Sequence, residues 1–342
     1  MIERPLVAAC LLVLAAPSAE ADWRDLVPGA WGGRAAFGYE QRDKGDVGRG
    51  DPLLGTGAPR FWFAEPQDVT GDFHVWGEWK IRTVGQSTKF EFSYERRQWV
   101  DSEILGHNVY GIRLRHAPSD RSRLELGAEY IPQIYKQHRA DKDALPGEPR
   151  FRPEAFQETD LELGYRRTWG ADLYATAFVT YTVRDETKWF NERDLKRPGL
   201  GLNVDLPLGD RTRLEPEYEF RVNASRNKPD LGSDLSYREH VAQLRFRTLS
   251  DAALGPWDLA ARTRWRFRSY TTDNPEDPRR YKRHEQIYFH SVRLRRPAGN
   301  AAPFVSWEIT GRWVDVPAGV ETADEDGEID RSFLQLGVEW EF

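Results

Sequence analysis

The sequence predicts an all-β chain, an antiparallel up-and-down transmembrane β-barrel of about fourteen strands with short turns at one rim and long loops at the other. Three observations carry this. Segments in which apolar and polar residues alternate strictly recur along the 342 residues, and a period of two puts all the apolar side chains on one face of a strand. The connections between those segments alternate between long and short. The mean hydropathy is well below zero, yet the chain is 13% aromatic, with 13 Trp, 13 Tyr and 17 Phe, too aromatic for a disordered polymer. A barrel reconciles these facts, because apolar residues face lipid while polar ones face water inside.

The N-terminus precedes the barrel. Met1–Arg4 is a charged start, Leu6–Ala16 is apolar apart from Cys10, and Ala19 and Ala21 form an A-x-A site. That run is shorter than the roughly 20 residues that cross a bilayer as a helix. Residues 1–21 therefore read as a cleaved signal peptide, with Asp22 the mature N-terminus and 22–342 one barrel domain. Val7–Cys10 lies too early in the apolar run for a lipoprotein box. Cys10 is the single cysteine, so the mature chain has no thiol for a disulfide or a metal. No second long apolar segment exists, which excludes helical spans.

Strands are expected at 33–42, 72–82, 88–99, 108–116, 122–131, 158–168, 172–183, 198–207, 211–222, 237–248, 257–269, 285–295, 302–314 and 331–342. Phe90, Phe92 and Tyr94 alternate cleanly with charged and small polar residues, as do Leu124, Leu126, Ala128 and Tyr130. Phe178, Ile287 and Phe289 fall on the polar face, and Pro216 asks for a bulge or a strand end. Connections 83–87, 117–121, 169–171, 208–210, 249–256 and 296–301 are the shorter set, as periplasmic turns are. Those at 43–71, 100–107, 132–157, 184–197, 223–236, 270–284 and 315–330 are, 100–107 apart, longer, and they are rich in Gly, Pro and charge. Both ends of the chain then lie on the turn side.

The closing segment has Leu334, Leu336, Val338, Trp340 and Phe342 alternating with Gln335, Gly337, Glu339 and Glu341, and it stops on the aromatic. It resembles the C-terminal signal of Gram-negative outer-membrane β-barrels. Over the whole mature chain the pattern resembles outer-membrane porins and oligosaccharide channels, with no motif that singles out a subfamily. The resemblance implies an outer-membrane location with periplasmic termini. It also implies that Leu336, Val338, Trp340 and Phe342 form the signal read by the barrel-assembly machinery. Outer-membrane lipid, lipopolysaccharide and periplasmic chaperones are the other partners implied, with a monomer expected rather than a trimer. Trp99, Trp169, Trp257, Trp313 and Trp340 near strand ends fit interfacial aromatic girdles.

With the apolar face on lipid, the inward face is fixed. Its basic members are Arg245, Arg247, Arg262, Arg264, Arg266, Arg268, Arg293, Arg295 and Arg312. Its acidic members are Glu91, Glu95, Glu125, Glu129, Asp160, Glu162, Glu215, Glu217 and Glu219. In a ring of fourteen, the fifth and sixth strands lie opposite the twelfth and thirteenth, so carboxylates face guanidiniums across the lumen. Arginine stays charged and grips carboxylates or phosphates bidentately. A wall of them suits passive passage of small polar solutes, anionic ones such as acidic sugars above all. The simpler reading is that Glu and Arg on neighbouring strands pair, as Glu215, Glu217 and Glu219 would with Arg245 and Arg247. Two other functions fit the same pattern: an exporter or accessory barrel for a secreted anionic polysaccharide, and a membrane-embedded enzyme acting on lipid or lipopolysaccharide.

Little supports an enzyme or a cofactor. The seven histidines form no H-x-x-x-H or H-E-x-x-H pair, which argues against a zinc hydrolase. His290 and Ser291 are adjacent and point to opposite faces, so they cannot act as base and nucleophile. Asp324–Asp330 lacks the ligands of a full calcium loop and reads as an acidic surface loop. The net charge of -6 argues against nucleic acid. The 43–71 and 132–157 loops are long enough to fold inward, and Lys136, His138, Arg139, Lys142, Arg150 and Arg152 would make the second a basic gate.

Overall fold

The computed structural model describes residues 29–42, 67–83, 86–102, 105–140, 151–169, 173–187, 194–225, 236–252, 255–271, 282–315 and 329–342. The expected signal peptide lies outside them, as does most of the acidic 324–330 segment. Fourteen strands follow one another: β1 (Ala30–Arg42), β2 (Gln67–Thr83), β3 (Gln86–Trp99), β4 (His107–Ser119), β5 (Ser122–Ala140), β6 (Phe151–Trp169), β7 (Leu173–Glu186), β8 (Leu195–Pro207), β9 (Thr212–Ser225), β10 (Tyr237–Ala252), β11 (Gly255–Tyr270), β12 (His284–Arg295), β13 (Ala301–Asp315) and β14 (Ile329–Glu341). Each pairs with its sequence neighbours, and β1 closes antiparallel on β14 from Gly32↔Glu341 to Arg42↔Arg331. Closure satisfies the backbone of every strand, a requirement for a sheet in hydrocarbon. At the seam the Phe342 N–H donates to the Trp31 carbonyl at 2.8 Å, and the two rings stack with centroids 4.6 Å apart.

The two faces have the polarity of a membrane barrel. Phe37, Leu200, Leu334, Leu336 and Phe342 stand exposed on the outside, while Glu40, Asp72, Glu219, Glu239 and Gln335 on the other face are buried. Apolar side chains therefore meet lipid and polar ones fill the interior. With the short turns, the start of β1 and the end of β14 at one rim, the protein is an outer-membrane β-barrel whose periplasmic side is that rim.

Several expectations need correction. β5 runs to Ala140 and β6 starts at Phe151, so most of 132–157 is sheet rather than loop. The ladder shifts register between Ile131 and Ile134 and again between Tyr135 and Gln137. Such irregularities destroy the period of two while pairing continues. The expected gate of Lys136, His138, Arg139, Lys142, Arg150 and Arg152 lies outside the described side chains. Residues 67–71 belong to β2, and the rest of the 43–71 connection is outside the described residues. β10 and β11 pair up to Ala252↔Gly255, so their connection is far shorter than 249–256.

Pro216 takes neither a bulge nor a strand end. It pairs with Leu244 of β10, and on the other side the β8 ladder lapses between Asn203↔Glu217 and Leu206↔Leu214 without losing register. The missing proline N–H costs a local bond there rather than the strand. Phe178 turns inward and is buried. Its ring fills the space that a Cβ at Gly201, on the facing strand, would need.

Candidate functional site: the barrel interior

The interior divides into two regions. Toward the loop ends of β14, β1, β2 and β3 it is packed, while the turn ends of β14, β1 and β2 border a cavity of about 590 Å³. The Glu40 carboxylate accepts from Trp99 Nε1 at 2.8 Å and from Arg42 Nε at 2.6 Å, and Arg331 Nε lies 2.9 Å away. Trp99 is therefore an interior residue and not part of the girdle, whereas Trp169 and Trp313 are exposed. An indole N–H goes where it finds a buried acceptor. Asp72 receives the fork of Arg97 at 2.7 and 2.9 Å and the amide of Gln335. Phe333 is buried among these groups, with the guanidinium carbons of Arg97 and Arg331 at 5.3 and 5.4 Å from its ring centre. Its ring occupies the space above Gly38, where a side chain would collide with it.

On the other side lies a cavity of about 880 Å³ bordered by strands from β3 round to β11. Glu91, Glu129, Asp160 and Glu162 border it, as do Arg262, Arg264, Arg266 and Arg268. Arg113, Arg197 and Arg221 join them. The acids come mainly from β5 and β6 and the longest run of arginines from β11. Four strands lie between β6 and β11 in the ring of fourteen, so the two groups face each other obliquely across the lumen.

Pairing divides the arginines further. Arg245 bonds Glu215 and Glu217 at 3.4 and 3.2 Å. Arg247 turns away from those acids and forks onto Asp258 at 3.0 and 2.6 Å. Arg295 bridges Asp258 and Glu339 at 2.9 and 3.1 Å, and Arg293 also pairs with Glu339. Arg266 and Arg268 converge on the buried Glu239 at 3.2 and 2.5 Å. Arg312 stands across from Ile287 without an ion pair among the described residues.

The acids divide in the same way. Glu219 binds Arg221 at 2.6 Å, Glu91 lies 3.5 Å from Arg115, Glu95 meets Arg34 at 3.4 Å, and Glu125 meets Arg123 at 3.5 Å. Asp160 accepts from the Thr182 hydroxyl. Asp160, Glu129 and Glu162 make no ion pair among the described residues.

Arg262 and Arg264 differ from every other arginine of the set. Their Nε atoms donate to one and the same acceptor, Gln243 Oε1, at 2.7 and 2.9 Å. Neither makes an ion pair among the described residues. Sequence reasoning missed Gln243, along with Glu239, Asp258 and Glu339, which hold the neighbouring arginines. All four sit at inward positions of their strands. Counting cross-strand partners would have found Gln243 opposite Arg264, had the β10–β11 turn been read at its true length.

The outward histidines bond hydroxyls of the next strand: His116 to Thr88, His240 to Tyr218, His284 to Ser269 and His290 to Thr263, at 2.6 to 3.0 Å. Each imidazole thus meets lipid with one nitrogen satisfied. Among the described residues no group of His, Cys, Asp and Glu could hold a metal ion.

No protein-family model matches the chain, and no curated relative matches it by sequence. Solved structures do. The outer membrane channel DcaP of Acinetobacter baumannii superposes with a TM-score of 0.47 at 10% identity, covering 92% of this chain and 98% of its own. A loop-deletion form of OmpT, an outer membrane protein of Vibrio cholerae, gives 0.45 at 8% identity over 92% and 98%. A bacterial polysaccharide outer membrane secretin gives 0.42 at 11% identity over 91% and 98%.

Proposed function

We propose that this barrel is a passive outer-membrane channel for small polar solutes, and that it favours anionic ones such as acidic sugars. The observation that carries the reading is the pair Arg262 and Arg264, two guanidiniums on the cavity wall without a carboxylate partner among the described residues. Guanidiniums already neutralised by Glu239 or Asp258 have little left to offer a passing anion. An unneutralised pair attracts one and, being only two groups, releases it again. The unpaired acids Glu129, Asp160 and Glu162 on the opposite wall repel the same solute and orient its charged end toward β11. The remaining candidates, Arg245, Arg247, Arg293 and Arg295 with Glu91, Glu95, Glu125, Glu215, Glu217 and Glu219, line the passage as a paired, hydrated wall, and Arg312 on β13 stands apart from the cavity. In this reading the chain works as a monomer in lipid and lipopolysaccharide. Its first 21 residues are removed during export, and Leu336, Val338, Trp340 and Phe342 direct its assembly.

Planar bilayers test the channel directly. Purified barrel should give discrete conductance steps, and liposomes containing it should swell faster in glucuronate than in glucosamine. A folded barrel that passes no current at any voltage, or one that prefers glucosamine, overturns the reading.

A further inference from the structure

The nine basic residues expected to line the interior are not equivalent, and two of them share one neutral acceptor. Arg262 and Arg264 are successive inward residues of one strand, and each spends its Nε on Gln243 Oε1. Two like charges held on one amide oxygen repel each other with nothing of opposite sign in contact. Gln243 is itself only 3% exposed, and its Nε2 has no hydrogen-bond partner. A buried amide N–H₂ left without an acceptor is destabilising. The adjacent levels show how the barrel ordinarily solves this problem. On the extracellular side Glu239 serves Arg266 and Arg268, and on the periplasmic side Glu215 and Glu217 serve Arg245. At the level between them the counter-charge is an amide.

We propose that Arg262, Arg264 and Gln243 form a discrete binding site for an oxyanion, a carboxylate or a sulfate or phosphate ester, on the solute that the channel admits. Gln243 aligns the two guanidiniums through their Nε atoms, which leaves the terminal nitrogens of both for the ligand. Those two forks meet an anion with two or more oxygens, as guanidinium geometry favours. Phe289 flanks the site, its ring centre 5.7 Å from the Arg262 guanidinium carbon, which limits the directions that side chain can take. The site lies on the wall facing Glu129, Asp160 and Glu162, so the bound group is the solute's acidic end and its neutral or cationic part projects into the cavity. Transport through such a site saturates, unlike diffusion past an evenly charged wall.

The proposal rests on the channel reading for its biological use, but its test needs no conductance. Purified barrel in detergent, in chloride buffer, is titrated calorimetrically with sodium sulfate and separately with sodium glucuronate. Saturable binding of either, at one site per chain, is expected, and which one binds identifies the head group. R262Q/R264Q should weaken it at least tenfold. Q243E, which supplies the missing counter-charge with almost no change of shape, should weaken it as much while leaving the barrel at least as stable to urea. R247Q, whose arginine is held by Asp258, should bind as the parent does. Binding in the parent without conductance in bilayers would retain the site and discard the channel. A folded parent that binds neither anion, or binding that survives both R262Q/R264Q and Q243E, overturns the proposal.

Discussion

The packed side of the barrel and its cavity side use the same two residue types to opposite ends. Around β1, β2 and β14, Glu40 and Asp72 are each surrounded by donors, so that neither carboxylate charge is left unpaired. On the wall formed by β10 and β11, Arg262 and Arg264 converge on a neutral amide and keep theirs. The first arrangement is a core built of polar groups, stable because each buried charge is paired and hydrogen-bonded. In the second, internal ion pairing is missing among the described residues, which is the condition that the proposed anion site needs. Composition alone does not separate them, since both are Arg- and Glu-rich inward faces of amphipathic strands.

The largest contrast should appear on removing Glu40. Glu40→Ala leaves Arg42 and Arg331 in the interior without their shared carboxylate and takes the acceptor from Trp99, a loss on the order of 3–5 kcal/mol. Urea unfolding in lipid vesicles measures it, and a loss below 1 kcal/mol would erase the distinction between the two sides. A smaller effect is expected from shape. Gly201→Ala forces Phe178 out of its place, an overpacking cost of about 1–3 kcal/mol, read in the same experiment. Smallest of all should be R262Q/R264Q. Removing two mutually repelling guanidiniums should shift stability by no more than about 0.5 kcal/mol. A large destabilisation there would mean that these arginines are structural after all.

Much of this fold was legible because an amphipathic strand writes its faces into the sequence two residues at a time. The fourteen strands, their phase and the polar interior all follow from Leu334-Gln335-Leu336 and patterns like it. Strand length was not legible where bulges break the period, as beyond Ile131 in β5. Pairing was legible only in part. Glu215 and Glu217 do meet Arg245, yet Arg247 turns to Asp258, one strand further on, because its register partner on β9 is another arginine, Arg213. Trp99 read as a girdle residue until Glu40 supplied a buried acceptor. Gln243 carried no signal of its own, since a neutral residue on a charged face attracts attention only when its cross-strand partners are known.

The proposed preference for anions resides in Arg262 and Arg264 rather than in the arginine-rich interior as a whole. Reversal potentials of single channels across a potassium chloride gradient test it most directly, comparing the parent, R262Q/R264Q and R247Q. The parent should give an anion-selective potential, retained in R247Q and collapsed toward zero or reversed in R262Q/R264Q. Equal losses in the two variants, or none in R262Q/R264Q, would contradict it.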